Sequence, residues 1–204
     1  MPTKIKINIM KKIIITLIAI VICDITFAQT TGTLKAVTII EARTVHLHSK
    51  NKESFSGQKS TTTIPIEIPN NTVEWYYSFT TSGSAISANN LKLAAQLIVL
   101  LASKTNIAGT AISATGLTDK AINSITVPEG SHAVDIYLFD ATNCNNFRTG
   151  IQANAIPSGT VETTKNAKVK IKNPISGTYY LGLNNPASMY AVDINIEVVA
   201  IVKE

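Results

Sequence analysis

The chain has 204 residues, with 18 lysines and arginines against 13 aspartates and glutamates, and a formal net charge of +5. Residues 1–28 hold four of the lysines and one aspartate, so the other 176 residues carry 14 basic and 12 acidic side chains, a net charge of +2. No cluster of Lys and Arg is left that could neutralise a row of phosphates, so this composition argues against a nucleic-acid partner.

The first 28 residues have the pattern of a cleavable secretory signal peptide. A basic start at residues 10–12 precedes an apolar stretch over residues 13–23, and the small residue Ala28 precedes Gln29. Signal peptidase recognises this order of a positive segment, a short apolar segment and a small residue. The apolar stretch is too short for a permanent membrane anchor, which needs about 20 residues. We therefore predict translation from Met10 and cleavage between Ala28 and Gln29.

This leader predicts an exported protein that is periplasmic, surface-exposed or secreted. Its ending at residues 27–29, Phe-Ala-Gln, is similar to signal peptides of some Gram-negative bacteria. Lipoprotein processing at Cys23 is the alternative, but bulky Ile22 stands where a small residue is expected. After cleavage Cys144 is the single cysteine, so the mature chain has no internal disulfide. A chain of this length can bury enough surface to fold without one.

Alternation of apolar and polar residues dominates the rest of the chain. Runs with this period of two cover residues 34–47, 64–68, 73–80, 134–139, 168–172, 179–183 and 192–198. Short alternating strands separated by Gly, Pro, Asn and Ser clusters predict a mostly β protein, an antiparallel β-sandwich of about seven to nine strands, jelly-roll-like. A parallel α/β fold would need a helix between successive strands, and such helices are missing from the pattern.

Two of these runs carry further positional information. Pro65 and Pro69 remove backbone donors, which predicts that their strand lies at a sheet edge. Later in the chain lysines alternate with apolar residues, which predicts a solvent-facing row made of Lys168, Lys170 and Lys172.

One segment breaks the alternation and predicts a helical insert over residues 87–127 of a single domain covering 29–204. Residues 91–102 favour a helix and are apolar on nearly all sides, so we expect this helix to be buried. A second short helix is expected to begin at residues 118–119, Thr-Asp. The candidate caps of the first helix are Ser87, Asn89 and Asn90.

Three segments carry a family resemblance. The strand at 72–80, the strand at 131–138 and the hairpin segment at 176–185 are similar to those of GOLD-type β-sandwiches and of the pre-peptidase C-terminal domains of exported bacterial proteins. The resemblance covers about residues 60–202. It implies a small exported sandwich that binds proteins, lipids or sugars, and it supplies no catalytic residues.

Three histidines form the candidate metal site. His46 and His48 are two residues apart in a predicted strand, so their rings share one face, and His132 could supply a third ligand. Imidazole nitrogens bind zinc and copper. The simpler interpretation is that His46 and His48 lie on an exposed strand face and bind no metal, because no Asp, Glu or Cys partner lies close to them in sequence.

Two other groups of residues, both between residues 132 and 145, are candidates for a functional site. Cys144 and His132 could form a thiolate pair, but no cysteine-protease signature surrounds them, and we expect a buried or turn-located thiol or an intermolecular disulfide. Asp140, Asn143 and Asn145 form an oxygen-rich turn of the kind that calcium prefers. Asx turns explain the same residues without an ion, and we expect no cofactor.

Aromatic side chains on the outer sides of strands are the candidate binding residues. If Trp75 and Tyr77 face the core, alternation places Tyr76 on the outer face, and Tyr180 and Tyr190 are the other two candidates. Exposed aromatic rings stack on sugars or anchor protein partners. The alternative is that neighbouring strands or the insert cover them.

The main functional prediction is an exported, non-enzymatic binding or interaction module for a protein or glycan partner. A metal-dependent hydrolase that uses His46, His48 and His132 is the first alternative. Membrane association through residues 91–117 is the second, although this stretch is too short to span a bilayer and its flanks are not basic. We expect no nucleic-acid partner and no permanent membrane anchor.

Overall fold

The computed structural model describes residues 33–83, 91–103, 112–113 and 116–204. The predicted leader, residues 1–28, lies outside the described residues. The described part forms ten strands and four α-helices: β1 (Leu34–Leu47), α1 (Lys50–Ser56), β2 (Thr61–Ile68), β3 (Thr72–Ser82), α2 (Leu93–Ala102), β4 (Ile112–Ser113), β5 (Gly116–Leu117), α3 (Asp119–Asn123), β6 (Val134–Phe139), α4 (Ala141–Arg148), β7 (Val161–Thr164), β8 (Asn166–Ile171), β9 (Gly177–Asn184) and β10 (Val192–Lys203).

Eight of these strands form two four-stranded antiparallel sheets. Sheet A has the strand order β1-β10-β3-β8, and sheet B has the order β2-β9-β6-β7. The short strands β4 and β5 form a separate two-stranded ribbon. The predicted antiparallel β-sandwich is confirmed.

The main core lies between the inner faces of the two sheets. Trp75, Tyr77 and Phe79 on β3 are fully buried there, as their period-two spacing predicts. The polar ends of the first two rings find backbone partners, since Trp75 Nε1 donates to Pro174 O at 2.8 Å and Tyr77 Oη donates to Gly159 O at 2.9 Å. The sandwich thus buries its largest side chains without leaving their polar atoms unpaired.

The strand with two prolines lies at an edge, as predicted. Strand β2 pairs with β9 and is the end strand of sheet B. Ile64, Ile66 and Ile68 point into the core, while Pro65 faces outward and is exposed. An edge strand tolerates Pro65 because a missing N–H on the open side costs no ladder hydrogen bond.

The insert covers the outer face of sheet A and builds a second apolar core there. Leu93 and Leu97 of α2 are buried against Tyr76, Val199 and Ile201, which point outward from β3 and β10. The fold therefore has three layers: sheet B, sheet A, and the helical insert over the outer face of sheet A.

The expectation that α2 is buried holds for only one side of the helix, the side of Leu93 and Leu97. Ile98 is 54% exposed and Val99 is 66% exposed, so one side of the helix faces away from the sheet. Among the helices of the described residues, none combines the length and the apolar character needed to cross a bilayer.

The predicted solvent-facing row of lysines is also wrong for two of its members. Lys170 Nζ lies 3.0 Å from Glu74 Oε2 and donates to Leu117 O, and its side chain is only 13% exposed. Lys168 Nζ donates to Asn123 O at 2.9 Å. Both lysines occupy the outer face of sheet A, and the insert that covers this face supplies a backbone acceptor to each of them.

The N-terminus of α2 receives its cap from a distant strand. The candidate caps Ser87, Asn89 and Asn90 lie outside the described residues, and the helix begins after Lys92, whose side chain makes no capping bond. Instead Glu197 on β10 accepts from Leu93 N at 2.8 Å and from Ala94 N at 3.0 Å. A carboxylate at this position satisfies unpaired N–H groups and complements the positive end of the helix dipole.

The second helix of the insert begins where the sequence predicts. Thr118 is the N-cap residue of α3, and its Oγ1 accepts from Ala121 N at 3.3 Å. This short-range capping signal needs no tertiary partner, so local sequence is enough to find it.

Candidate functional site

The outer face of sheet B forms a platform made of three cross-strand rows. Alternation turns every second residue of β2, β9 and β6 away from the core. The pairing register places these outward residues beside one another as Pro65–Tyr180–Phe139, Thr63–Gly182–Tyr137 and Thr61–Asn184–Asp135.

Three aromatic rings pack together on this platform. The ring centroids of Tyr137 and Phe139 are 5.8 Å apart, and Phe147 on α4 lies 5.9 Å from the first and 5.1 Å from the second. A Cβ atom at position 182 would lie 2.6 Å from Phe139 Cε2, so Gly182 leaves the space that the rings occupy. We call Tyr137, Phe139 and Phe147 the aromatic triad.

A cleft of about 480 Å³ opens beside the triad. We call it the sheet B cleft. Its walls combine aromatic, small and polar side chains: Tyr137, Phe139, Phe147, Gly150, Ile151, Ala153, Ala155, Thr160, Glu162 and Asn184. An apolar wall with a few convergent polar groups is the usual composition of a ligand-binding site.

The polar edge of the cleft is held in place by Asp135. This carboxylate is only 8% exposed, and it accepts from Asn184 Nδ2 and from Thr163 N, both at 2.8 Å. Thr163 has a φ of 50°, a conformation that costs free energy in a β-branched residue. The hydrogen bond to Asp135 stabilises this conformation next to Glu162.

Tyr137 joins the aromatic and the polar parts of the cleft. Burial raises the pKa of its hydroxyl above the ordinary value of 10.0, and the negative charges of Asp135 and Glu162 raise it further. The hydroxyl therefore keeps its proton, and the carboxylates of Glu162 and Asp135 are its hydrogen-bond acceptors.

A second depression of about 350 Å³ also borders Phe147. It is lined by threonines of β2 and two basic side chains: Lys59, Thr61, Thr62, Thr63, Phe147 and Arg148. The two depressions share Phe147, so a ligand longer than one ring could contact both.

The three aromatic residues predicted to bind have different positions. Tyr76 is fully buried beneath the insert, and its Oη donates to Glu74 Oε1 at 2.5 Å, so it is not a surface binding residue. Tyr180 is half-buried in the outward row that includes Phe139. Tyr190 is 47% exposed and packs on His132, with 4.5 Å between the ring centroids.

The histidines form two ring contacts. The rings of His46 and His48 lie 4.6 Å apart at an interplanar angle of 80°, and His46 Nδ1 is 2.6 Å from Asp193 Oδ1. His132 contacts Tyr190 instead. Over the described ranges, no group of three or more His, Cys, Asp or Glu side chains has an arrangement that could hold a metal ion.

The oxygen-rich segment predicted as a turn is the start of α4. Asp140 is its N-cap residue, and its Oδ1 accepts from Asn143 N at 2.7 Å. Asn143 Oδ1 accepts from Asn154 N at 2.8 Å, and Asn145 lies on the same helix. Helix capping therefore accounts for Asp140, the bond to Asn154 engages Asn143, and Cys144 is buried within the same helix.

Sequence reasoning missed the residues that form the cleft. Tyr137 was detectable, because it alternates with Ile136 and Leu138 and must point away from the core. Phe147 was not, since it lies on α4, a helix for which the sequence showed no amphipathic pattern. Glu162 belongs to β7, a short strand that the alternation did not reveal.

The fold makes this chain an antiparallel β-sandwich with one covered face and one face that carries a cleft. No protein-family model matches the chain, and no curated protein matches it either. The geometry of the cleft is therefore the basis for assigning a function.

Proposed function

We propose that the protein is an exported, non-enzymatic binding module whose sheet B cleft binds a glycan. The observation that carries this proposal is that the aromatic triad lies beside polar side chains of the same cleft, namely the Glu162 carboxylate and the Asn184 amide. A sugar ring has apolar C–H faces and a polar rim of hydroxyls, so it needs both kinds of surface at once.

Each part of the cleft has a role in such binding. Tyr137 and Phe147 offer aromatic faces on which a sugar ring can stack. Glu162 and Asn184 supply acceptors and donors for the sugar hydroxyls, and Asp135 holds the amide of Asn184 in place at 2.8 Å. The threonines and Arg148 of the neighbouring depression extend the polar surface along β2, which favours a chain of sugars over a single ring.

The predicted leader and the family resemblance agree with this proposal. An exported protein meets extracellular or periplasmic polysaccharides. The resemblance to GOLD-type and pre-peptidase C-terminal sandwiches, which bind proteins, lipids or sugars, stays a prediction because no match bears on it.

The test is calorimetric titration of the purified protein with a panel of neutral and acidic oligosaccharides. We expect Tyr137→Ala and Phe147→Ala each to weaken the binding of a ligand at least about tenfold, equivalent to about 1.4 kcal/mol. Val99→Ala, which removes an exposed apolar side chain from the insert, is the matched control and should leave affinity unchanged. Absence of binding to every oligosaccharide, or equal affinity of the two cleft variants and wild type, contradicts the proposal.

A further inference from the structure

An exposed apolar tip lies apart from the sheet B cleft. Phe55 on α1 is 89% exposed and Met189 in the loop before β10 is 86% exposed, the two highest values among the large apolar side chains of the described residues. Both side chains line one shallow depression of about 340 Å³. We call Phe55 and Met189 the apolar tip.

The fold holds the tip in a defined conformation. Two backbone hydrogen bonds connect α1 to the loop that carries Met189. Lys50 N donates to Ala187 O at 2.9 Å, and Asn51 N donates to Ser188 O at 3.2 Å. No residue of α1 is buried, so Phe55 contributes nothing to the core of the sandwich. Exposure of the two apolar side chains is therefore a property of the ordered fold, and it carries a solvation cost that a binding role would offset.

The surroundings of the tip are basic. Residues 50–60 hold three lysines, Lys50, Lys52 and Lys59, which are all exposed, and one acidic residue, Glu53, whose carboxylate accepts from Ser60 Oγ and lies 3.9 Å from Lys59 Nζ. Three positive charges against one negative charge favour an anionic partner.

We propose that the apolar tip inserts into the surface of an anionic lipid bilayer while the surrounding lysines contact the lipid headgroups. A stable protein interface buries about 800 Å² on each partner, whereas an aromatic side chain supplies only about 150–250 Å². Two protruding apolar side chains are too small for such an interface. They suit a membrane surface, where short apolar insertion and electrostatic attraction act together.

The experiment is co-sedimentation of the protein, expressed from the full chain, with vesicles of phosphatidylcholine alone or mixed with phosphatidylglycerol. We expect binding to the mixed vesicles that weakens with added salt, and much weaker binding to phosphatidylcholine alone. The double variant Phe55→Ala, Met189→Ala should lower the partition coefficient at least about tenfold, since each lost side chain removes a favourable apolar transfer. The double variant Lys50→Glu, Lys52→Glu should also lower the partition coefficient, because it removes positive charges that contact the lipid headgroups.

A second readout separates insertion from loose electrostatic contact. The Phe55→Trp variant should show a blue-shifted emission when mixed vesicles are added, whereas Trp75 is buried in the core and should not respond. Val99→Ala, made in the same full chain, is the control and should bind as wild type does.

Three outcomes overturn the proposal: no binding of wild type to mixed vesicles, equal binding of the double variant, or an emission of the Phe55→Trp variant that does not shift. Dimerisation in sedimentation velocity that the double variant abolishes also overturns it, because a second copy would then be the occupant of the tip. Both side chains are exposed, so circular dichroism should show that the variants are folded. Glycan titration of the double variant tests the cleft separately, and the two proposals can fail independently.

Discussion

The buried carboxylate of Glu74 connects the insert to the sandwich. Its side chain is fully buried, accepts from Leu117 N at 2.6 Å and from Tyr76 Oη at 2.5 Å, and lies 3.0 Å from Lys170 Nζ. Gly116 makes this possible, because a Cβ there would lie 2.3 Å from the Glu74 carboxyl carbon. Removal of one partner from a buried ion pair leaves the other charge without compensation.

We therefore expect Glu74→Ala to lower the free energy of unfolding by about 3–5 kcal/mol. Urea denaturation measures this change. Glu67→Ala is the matched control, because it removes the same side chain from an exposed strand position and should change stability by less than about 0.5 kcal/mol. A loss below about 1 kcal/mol for Glu74→Ala would mean that the pair contributes little to the attachment of the insert.

Buried tyrosines should make the protein sensitive to alkaline pH. Burial raises the pKa of Tyr77 above its ordinary value of 10.0, and burial together with Glu74 raises the pKa of Tyr76. In the unfolded chain these hydroxyls lose their protons near pH 10, while in the folded chain they keep them. The unfolded state then binds fewer protons, so stability is complete below pH 10 and falls as the pH rises above it.

The slope from one such tyrosine is at most about 1.4 kcal/mol per pH unit. Urea denaturation between pH 8 and pH 11 should show a plateau followed by this decline. Tyr77→Phe should reduce the steepness of the decline, although it also removes the hydrogen bond to Gly159 O. An unchanged slope in this variant would show that Tyr77 does not titrate differently in the two states.

At the scale of single elements, α2 illustrates how a helix can depend on a distant strand. Its sequence favours a helix, but its described N-terminus has no local side-chain cap. Glu197 supplies both missing acceptors from β10. The start of α2 is thus coupled to the sheet beneath it.

Glu197→Ala should loosen the first turn of α2. We expect a loss of about 1–2 kcal/mol, the usual cost of a missing cap, and faster hydrogen exchange of the amides of residues 93–97. Exchange measured by mass spectrometry, peptide by peptide, is the appropriate test. Lys92→Ala changes the N-cap side chain that makes no bond and should leave the exchange rates as they are. Equal protection in wild type and Glu197→Ala would contradict the capping role.

Elements also differ in how well the sequence predicted them. Strands β3, β6 and β10 were predictable because each carries the alternation of a strand with a buried face. Helix α4 was not, because its sequence is polar and its first turn resembles an Asx turn. The same Asp-to-N–H bond serves both structures, so local chemistry could not distinguish them.

At the scale of the whole molecule, the two outer faces of the sandwich differ in what lies over them. The insert covers sheet A, and the cleft opens on sheet B. Binding through sheet B would leave the buried network of Glu74 and Lys170 undisturbed, so the cleft and the insert can be varied independently by mutation.

Export is the prediction that concerns the whole chain. Expression of the full chain in a Gram-negative host should yield a mature product that begins at Gln29, and mass spectrometry of the intact protein measures this. Ala28→Asp should block the cleavage, because signal peptidase requires a small residue there. Cys23→Ser should have no effect. If Cys23→Ser blocks processing instead, the leader is that of a lipoprotein.

Alternation alone predicts which side of β3, β6 and β10 faces the core. This information is local, because a period of two residues is visible within a single strand such as β10. What lies over the opposite side of a strand becomes visible only in the packing of the insert on sheet A. Tyr76 and Lys170 had the pattern of surface residues, yet the insert buries the first and almost wholly covers the second.

The physical reason is the distance along the chain between the groups that make these contacts. Glu74 and Leu117 are 43 residues apart, and Leu93 and Glu197 are 104 residues apart. No pattern within one strand encodes such pairs. The aromatic triad differs from these pairs, because Phe147 is close to Tyr137 in the chain and contacts it through the packing of α4 on sheet B.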